Sequence, residues 1–369
     1  MGGGLTGETL GPRALNRALL ARQGLLERTA APVPDVVARL CGLQAQVPSN
    51  PYVALWARIA GFRPEALSEL LEARALARAQ TLRATIHLHT ADDLRALQPL
   101  TGDVLARVFR GQFLRLMGDV AAEDVAAFGR SLLAGEPRSR AELAPELTAR
   151  WPGVDANALA QAVTFNSALV QATPRGLWGR SGGARWAPTE AWLGTPLDPA
   201  PSVDAWVLRY LAAFGPATSA DVRTWSGFTG LRAVLARLRP RLRAFRDATG
   251  RELLDVEDGP LPDADTPAPP RFLPEYDNVG LAHADRARIA SPAGPGQPWP
   301  SGTWIGTLYV DGFFRAYWRA ELDDVAATLT VDRLAPLRTD PGGTAAAIEA
   351  EGVALLELIA PGAEPRVVL

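Results

Sequence analysis

Along residues 81–90, TLRATIHLHT, apolar and polar side chains alternate without a break. Leu82, Ala84, Ile86 and Leu88 fall on one face of the extended chain this period implies, and Thr81, Arg83, Thr85, His87 and His89 on the other. The stretches before it follow a helical period instead. Helices are expected over residues 13–28, through PVPDVVARLCGLQAQ with Pro34-Asp35 at its start, and over residues 51–60 and 65–75. The same order of helices followed by strands returns twice. In RSRAELAPELTARWPG, Ser139 and Glu142 stand at capping-box spacing, a helix over 155–169 follows, and VQATPRGLWGRSGGARWAP supplies the strands. A third unit has a helix over 203–214, a turn at Gly215-Pro216, and a restart where Thr218 and Asp221 repeat the three-residue spacing. Its hairpin is LRAFRDATGRELLDV, closed near Thr249-Gly250. A helix-turn-helix followed by a wing, three times in tandem, is the organisation implied.

Beyond Asp263 the chain becomes proline-rich (DADTPAPP) and then strand-like, interrupted by a long Gly/Pro loop, SPAGPGQPWPSG. TWIGTLYVDGFFRAYWRAE reads as a hairpin, because Asp311-Gly312 suits a type I′ turn and both arms are β-branched or aromatic. VAATLTVDRL adds a strand, and a helix over 344–359 follows. The expected fold is α+β and mainly helical. A flexible tail (1–12) leads into winged helices over 13–137, which carry extra helices, over 138–200 and over 201–262. A β-rich, barrel-like module over 263–369 follows.

Composition removes several chemistries. The 369 residues include no lysine, so all 38 basic side chains are arginine. A P-loop would lack its lysine, and Schiff-base chemistry would fall to the N-terminal amine. One cysteine, Cys41, and three histidines, His87, His89 and His283, cannot make a finger-type zinc site, and neither metal nor cofactor is expected. No apolar run approaches the roughly 20 residues of a membrane span. The opening MGGGLTGETLGP has no secretory pattern, so a cytoplasmic protein is expected. A net charge of -2 gives no general attraction to nucleic acid. A local basic patch is available in LRAVLARLRPRLRAFR, which carries six arginines and otherwise reads as a solvated helix face.

Residues 40–56, LCGLQAQVPSNPYVALW, place two amides, Gln44 and Gln46, between an apolar run and a proline-marked turn. Glutamine can hold water or a polar group but has no proton to trade near neutral pH. Read from the residues alone, the pair is a solvated helix end.

Six strings together point further: LQAQVPSNPYVALWAR, TLRATIHLHTADDL, TPRGLWGR followed by WAPTEAWLG, FGPATSADVRTWSG, LPEYDNVGLAHADRARI and LYVDGFFRAYWR. In this order, over residues 43–319, they resemble the winged-helix proteins that include the AlkZ-like DNA glycosylases. Gln44-Ala45-Gln46 is similar to that family's Gln-apolar-Gln branch. Phe313, Phe314 and Arg315 depart from the more polar, glycine-containing turn exit of the family. The resemblance implies a monofunctional glycosylase that removes N7- or N3-alkylated purines, including bulky adducts or interstrand crosslinks made by a genotoxic natural product. Its partner would be double-stranded DNA carrying such bases, and the protein would act as a monomer.

A cationic alkylpurine is already a good leaving group, so what remains to be supplied is a placed water and a polar setting for the sugar cation. The resemblance gives those catalytic tasks to Gln44 and Gln46. It gives DNA contacts to Arg83, Thr85, His87, Arg175, His283, Arg286, Phe313 and Arg315, and makes the 310–314 hairpin tip a candidate groove wedge. His283 and Arg286 equally suit a structural polar network with Asp285, and Arg175-Gly176 a wing turn. Two other readings compete. A transcription regulator would need a recognition helix rich in base-reading side chains and paired half-sites. A structural DNA-binding protein would keep its binding without the glutamines.

Overall fold

The computed structural model describes residues 8–290, 302–323, 325–333 and 343–369. Apart from Gly302, the expected Gly/Pro loop lies outside the described residues, as do residues 1–7 of the expected tail. The end of that tail is not loose, for Thr9–Leu10 pairs in parallel with the strand Leu242–Asp247.

The site is built on a five-stranded sheet in the order Leu43–Gln44, Ile86–Thr90, Leu76–Gln80, Leu169–Gln171, Trp186–Pro188, antiparallel throughout. Strands of the first two units share this one sheet. One face sends Leu43, Leu88, Leu169 and Trp186 into the main core. The other carries Ala77, Ala79, Val170 and Ala187, small enough to let Leu94 of the helix Ala91–Gln112 pack directly on the sheet. That helix starts at a Thr90 side-chain cap, where Thr90 Oγ1 accepts from the Asp93 N–H at 3.2 Å.

The alternation at 81–90 holds for half its length. The strand begins at Ile86, while Leu82–Ala84 forms a single 3₁₀ turn with Arg83 and Ala84 at φ 53° and 58°. The reason is the reversal between neighbouring strands. Gln80 already pairs with Ile86, so the residues between them must turn back, and Thr81 and Thr85 close the loop through a 3.1 Å backbone bond. Gln44 likewise sits on a two-residue strand, Leu43–Gln44, with Gln46 in the bend after it, rather than at a helix end, because the helix Val33–Arg39 stops before Cys41 and Gly42, both at positive φ.

The second and third units keep much of their expected local form. Ser139 and Glu142 make a reciprocal capping box on Arg140–Arg150, and Thr218 and Asp221 make another on Ser219–Ser226. Val203–Phe214 and Leu231–Leu238 complete the third unit's helices, and Leu242–Asp247 pairs antiparallel with Glu252–Val256. Its six arginines are not a free patch. Arg237 pairs with Asp204, Arg239 with Glu252 and Arg243 with Asp255, Arg246 donates to the Gly250 carbonyl, and Arg232 and Arg241, like Arg246, have no carboxylate ion pair among the described residues.

The β-rich module is an open five-stranded sheet, with Glu364–Val368 at one end and Arg271–Pro274 at the other. It is not barrel-like, because the helix Thr344–Ile359 covers it instead of a return strand, with Gly352 against Val367 and Phe272. Trp318 is fully buried and donates to the Leu273 carbonyl at 2.9 Å. Asp311 and Gly312 both have positive φ, as a type I′ turn requires. This tip is docked on the first helix, Pro12–Arg22. Asp311 bonds Arg13 and Arg17, and the Gly312 carbonyl accepts from Asn16 at 2.6 Å. A wedge free to enter a groove is therefore not what the hairpin offers, since its turn is spent on contacts within the molecule.

Candidate active site

Gln44 lies opposite His87 in the sheet, so the two side chains are neighbours on one face. Gln44 is half-buried, and its Oε1 is sealed off with no hydrogen-bond partner among the described residues. Gln46, two residues on, is exposed, and its Oε1 accepts the Ile86 N–H at 3.2 Å. The Gln46 amide is thereby held by the strand that carries His87.

His87 is fully buried and neutral. Its Nδ1 faces the Thr85 carbonyl at 3.0 Å, which fixes the proton there and leaves Nε2 to accept from Arg83 Nη2 at 3.2 Å. Burial first, then the charge of Arg83, hold the imidazole well below its ordinary pKa. It is therefore no proton donor at neutral pH. His89, on the same face, is pushed down to about 4, chiefly by burial, and its ring fills the space that a side chain at Gly42 would need.

Arg83 donates to the Trp225 carbonyl at 2.5 Å, so the turn at 82–84 ties the third unit's helix Ser219–Ser226 to His87. Burial pulls its guanidinium down to about 10. Thr85 spends its hydroxyl on the Leu82 carbonyl at 3.3 Å. Arg78, on the opposite face of the sheet, is 2% exposed and meets no carboxylate among the described residues. It donates to the carbonyls of Ala45, between the two glutamines, at 2.7 Å and of Arg175 at 3.3 Å, and burial lowers it also to about 10. Gly176 belongs to the same arrangement. At φ +101°, a Cβ there would sit 2.8 Å from Arg78 Cδ, and its carbonyl accepts from the Tyr52 hydroxyl at 2.7 Å. Next to it the rings of Tyr52, Trp178 and Trp304 lie in sequence at centroid distances of 4.7 and 5.6 Å.

The remaining sequence candidates separate from this cluster. His283 is in the core, its Nε2 3.0 Å from the Phe214 carbonyl, which is the structural alternative and not a surface DNA contact. Arg286 is exposed. Arg175, Phe313 and Arg315 are half-buried, with the Arg315 guanidinium 5.9 Å from the Phe313 ring centre. Sequence reasoning did not single out Arg78, whose role depends on Ala45 and Arg175 coming together from distant positions. Among the described residues no group of three or more His, Cys, Asp or Glu is arranged to hold a metal, and no helix is long and apolar enough to cross a membrane.

Chemically, the cluster can orient a water and solvate a cation through amides, but it places no ionisable proton donor beside Gln44. The family model for DNA glycosylase AlkZ-like proteins matches residues 37–358. The chain belongs to the AlkZ-like DNA glycosylase family. A solved structure of the Streptomyces sahachiroi DNA glycosylase AlkZ is similar to it, with a TM-score of 0.72 at 20% sequence identity, covering 98% of this chain and 100% of that one. At that identity the likeness speaks for the AlkZ fold. No curated protein matches the chain in sequence.

Proposed function

We propose that this AlkZ-like protein is a monofunctional DNA glycosylase that hydrolyses the N-glycosidic bond of cationic N7- or N3-alkylated purines in duplex DNA. Its substrates would include bulky adducts or crosslinks left by a genotoxic natural product. The observation that carries this reading is the Gln44 amide, held beside a neutral His87 with one polar atom unpaired. Thirteen other buried side-chain atoms among the described residues also lack a partner, so what sets the Gln44 amide apart is its place in a Gln-Ala-Gln segment resembling that of a glycosylase family, where it suits a water or sugar that arrives with the substrate.

Gln44 accepts a hydrogen from the attacking water and Gln46 turns its free amide edge toward the sugar. No acid is required, because the departing base becomes neutral as the bond breaks. An uncharged purine would stay in place. With no lysine, the strand-cleaving lyase step lacks its usual amine.

The three helical units act as winged helices around the duplex, and Arg175, Arg286 and Arg315 supply phosphate contacts. Arg83, Thr85 and His87 shape the floor beneath the glutamines. The protein works as a monomer without a cofactor. Base release from duplexes containing N7-methylguanine, beside duplexes carrying a bulky N7 adduct, tests the reading. Wild type should release base. The double variant Gln44→Ala/Gln46→Ala should bind DNA yet lose about 10²- to 10³-fold in rate. Tight binding by both proteins with no release from either duplex would leave a DNA-binding protein and remove the enzyme.

A further inference from the structure

Residues 275–278, EYDN, are pinned on both sides of the glutamine segment. Asn278 Nδ2 donates to the carbonyls of Gly42 at 2.7 Å and Leu40 at 3.3 Å, just before Gln44. Asn50 Nδ2, just after Gln46, donates to the Glu275 carbonyl at 2.9 Å. The Glu275 N–H is held by the Ile305 carbonyl at 3.2 Å, and Tyr276 adopts φ 58° in passing. Nothing about this segment is loosely placed.

Its side chains are treated differently. Asp277 is matched by Arg58 at two points, 2.8 and 2.9 Å. The half-buried Glu275 carboxylate has neither a hydrogen bond nor an ion pair among the described residues. The helix Asn50–Trp56, packed on the strand Arg271–Pro274, offers Tyr52 as its sole titratable group, and the strand Trp304–Val310 offers Tyr309. Of the cations around them, Arg58 is spent on Asp277 and Arg271 on Glu351. Arg175, in the loop whose Trp178 meets Trp304, donates to the Gly182 carbonyl at 2.8 Å. Burial alone acts on Glu275, raising its pKa. Its oxygens are not among the sealed unpaired atoms, so the carboxylate stays open to solvent and to an arriving cation.

We propose that Glu275 is the anionic group of this site, a further catalytic residue that faces the positive charge of the alkylated base and of the sugar cation formed as the base departs. The inference rests on the glycosylase reading and deepens it, because it names what selects a charged lesion over a neutral purine. A fixed carboxylate stabilises the transition state most where charge migrates onto the sugar, in a setting poorer in water than the surface. Trp304, next in the chain to the Ile305 whose carbonyl holds the Glu275 N–H, lies with its ring 5.6 Å from that of Trp178 and would offer an arriving cation an aromatic face.

The test is single-turnover release of N7-methylguanine from duplex DNA between pH 5 and 8, corrected for spontaneous loss, with wild type, Glu275→Gln, Glu275→Asp and Gln44→Ala/Gln46→Ala. Binding to undamaged duplex and melting temperature are measured on each. Wild type should slow as pH falls through the raised Glu275 pKa. Glu275→Gln should lose about 10- to 100-fold at pH 7 to 8 and flatten that limb, with binding and melting temperature unchanged. Glu275→Asp should recover part of the rate, and it carries the comparison if the glutamine variant fails to fold. Glu275→Gln at the wild-type rate with the limb intact, while the double glutamine variant is dead, would overturn this inference alone. No release by wild type would overturn the glycosylase reading and this inference together.

Discussion

Arg58 and Arg78 are both fully buried, yet they are met in opposite ways. Arg58 has Asp277 at two points and the Ala54 carbonyl at 2.9 Å. Arg78 has two carbonyls and no carboxylate. Arg58 belongs to a seam that joins residues far apart in the chain, as does Arg22, matched to Asp255 at 2.7 and 2.8 Å. Arg78 belongs to the sheet that carries the glutamines, where Gln44, Gln80 and Gln171 also leave an amide oxygen unmatched. The seam arginines meet carboxylates through their terminal nitrogens, although Arg22 and Arg58 each leave Nε unpaired, whereas the sheet beneath the glutamines gives Arg78 only carbonyls among the described residues. Such local unsatisfied polarity is tolerated when the surrounding structure enforces it.

The contrast can be broken at either arginine. Arg58→Met leaves Asp277 charged and alone, and should cost about 3–5 kcal/mol of unfolding free energy in a denaturant titration. A loss below about 1 kcal/mol would mean the seam is not where stability resides. The histidines extend the contrast to pH. Burial holds His87 and His283 well below their ordinary pKa and His89 at about 4. The unfolded chain takes up these protons near pH 6.5, while folded His89 refuses its proton until about 4. Their contribution to stability is therefore whole above pH 6.5 and is lost as pH falls from there. The slope is up to about 1.4 kcal/mol per unit for each histidine, read as denaturant midpoints at pH 7, 6 and 5.

Arg78→Met should be milder in stability, about 1–3 kcal/mol, because it orphans two carbonyls but also removes an unmatched buried cation. Its effect on base release should be the larger one, about 10- to 100-fold, since the Ala45 carbonyl lies between the two amides to which the proposed function gives catalysis. A variant that lost stability and kept its rate would return Arg78 to the scaffold. The smallest effect is expected at the surface. Arg286→Ala should leave stability within about 0.5 kcal/mol and lower the salt dependence of DNA binding by about one charge. Arg237→Ala, whose guanidinium is already paired with Asp204, should leave that slope unchanged.

Much of this was legible in the chain where the signal is local. Ser139 with Glu142 and Thr218 with Asp221 announce their helices, and Asp311-Gly312 announces its turn, because each device is complete within four residues. Thr81 to Thr85 misled for the complementary reason. Alternation records which side chains could share a face but not that Arg83 and Ala84 reverse the chain between two strands. The strand at Leu43–Gln44 is too short for any period, and it exists because Ile86–Thr90 is beside it. His283 was ambiguous until the Phe214 carbonyl, 69 residues earlier, stood next to its ring. Glu275 sits inside LPEYDNVGLAHADRARI, yet nothing in that string sets it apart from its neighbours, because its lack of a cation among the described residues appears only in the folded chain.

The two asparagine clasps on the glutamine segment also set a timetable. Asn50 and Asn278 join stretches more than 200 residues apart in the chain. At about 5–20 residues per second, a ribosome that has just finished Gln46 needs roughly 10–50 s to reach Asn278. During that interval the helices of the first two units can form, but the pair of amides waits without its cover. On the proposed function, the protein would thus become competent to cut a glycosidic bond only late in its own synthesis, once residues 275–278 have emerged.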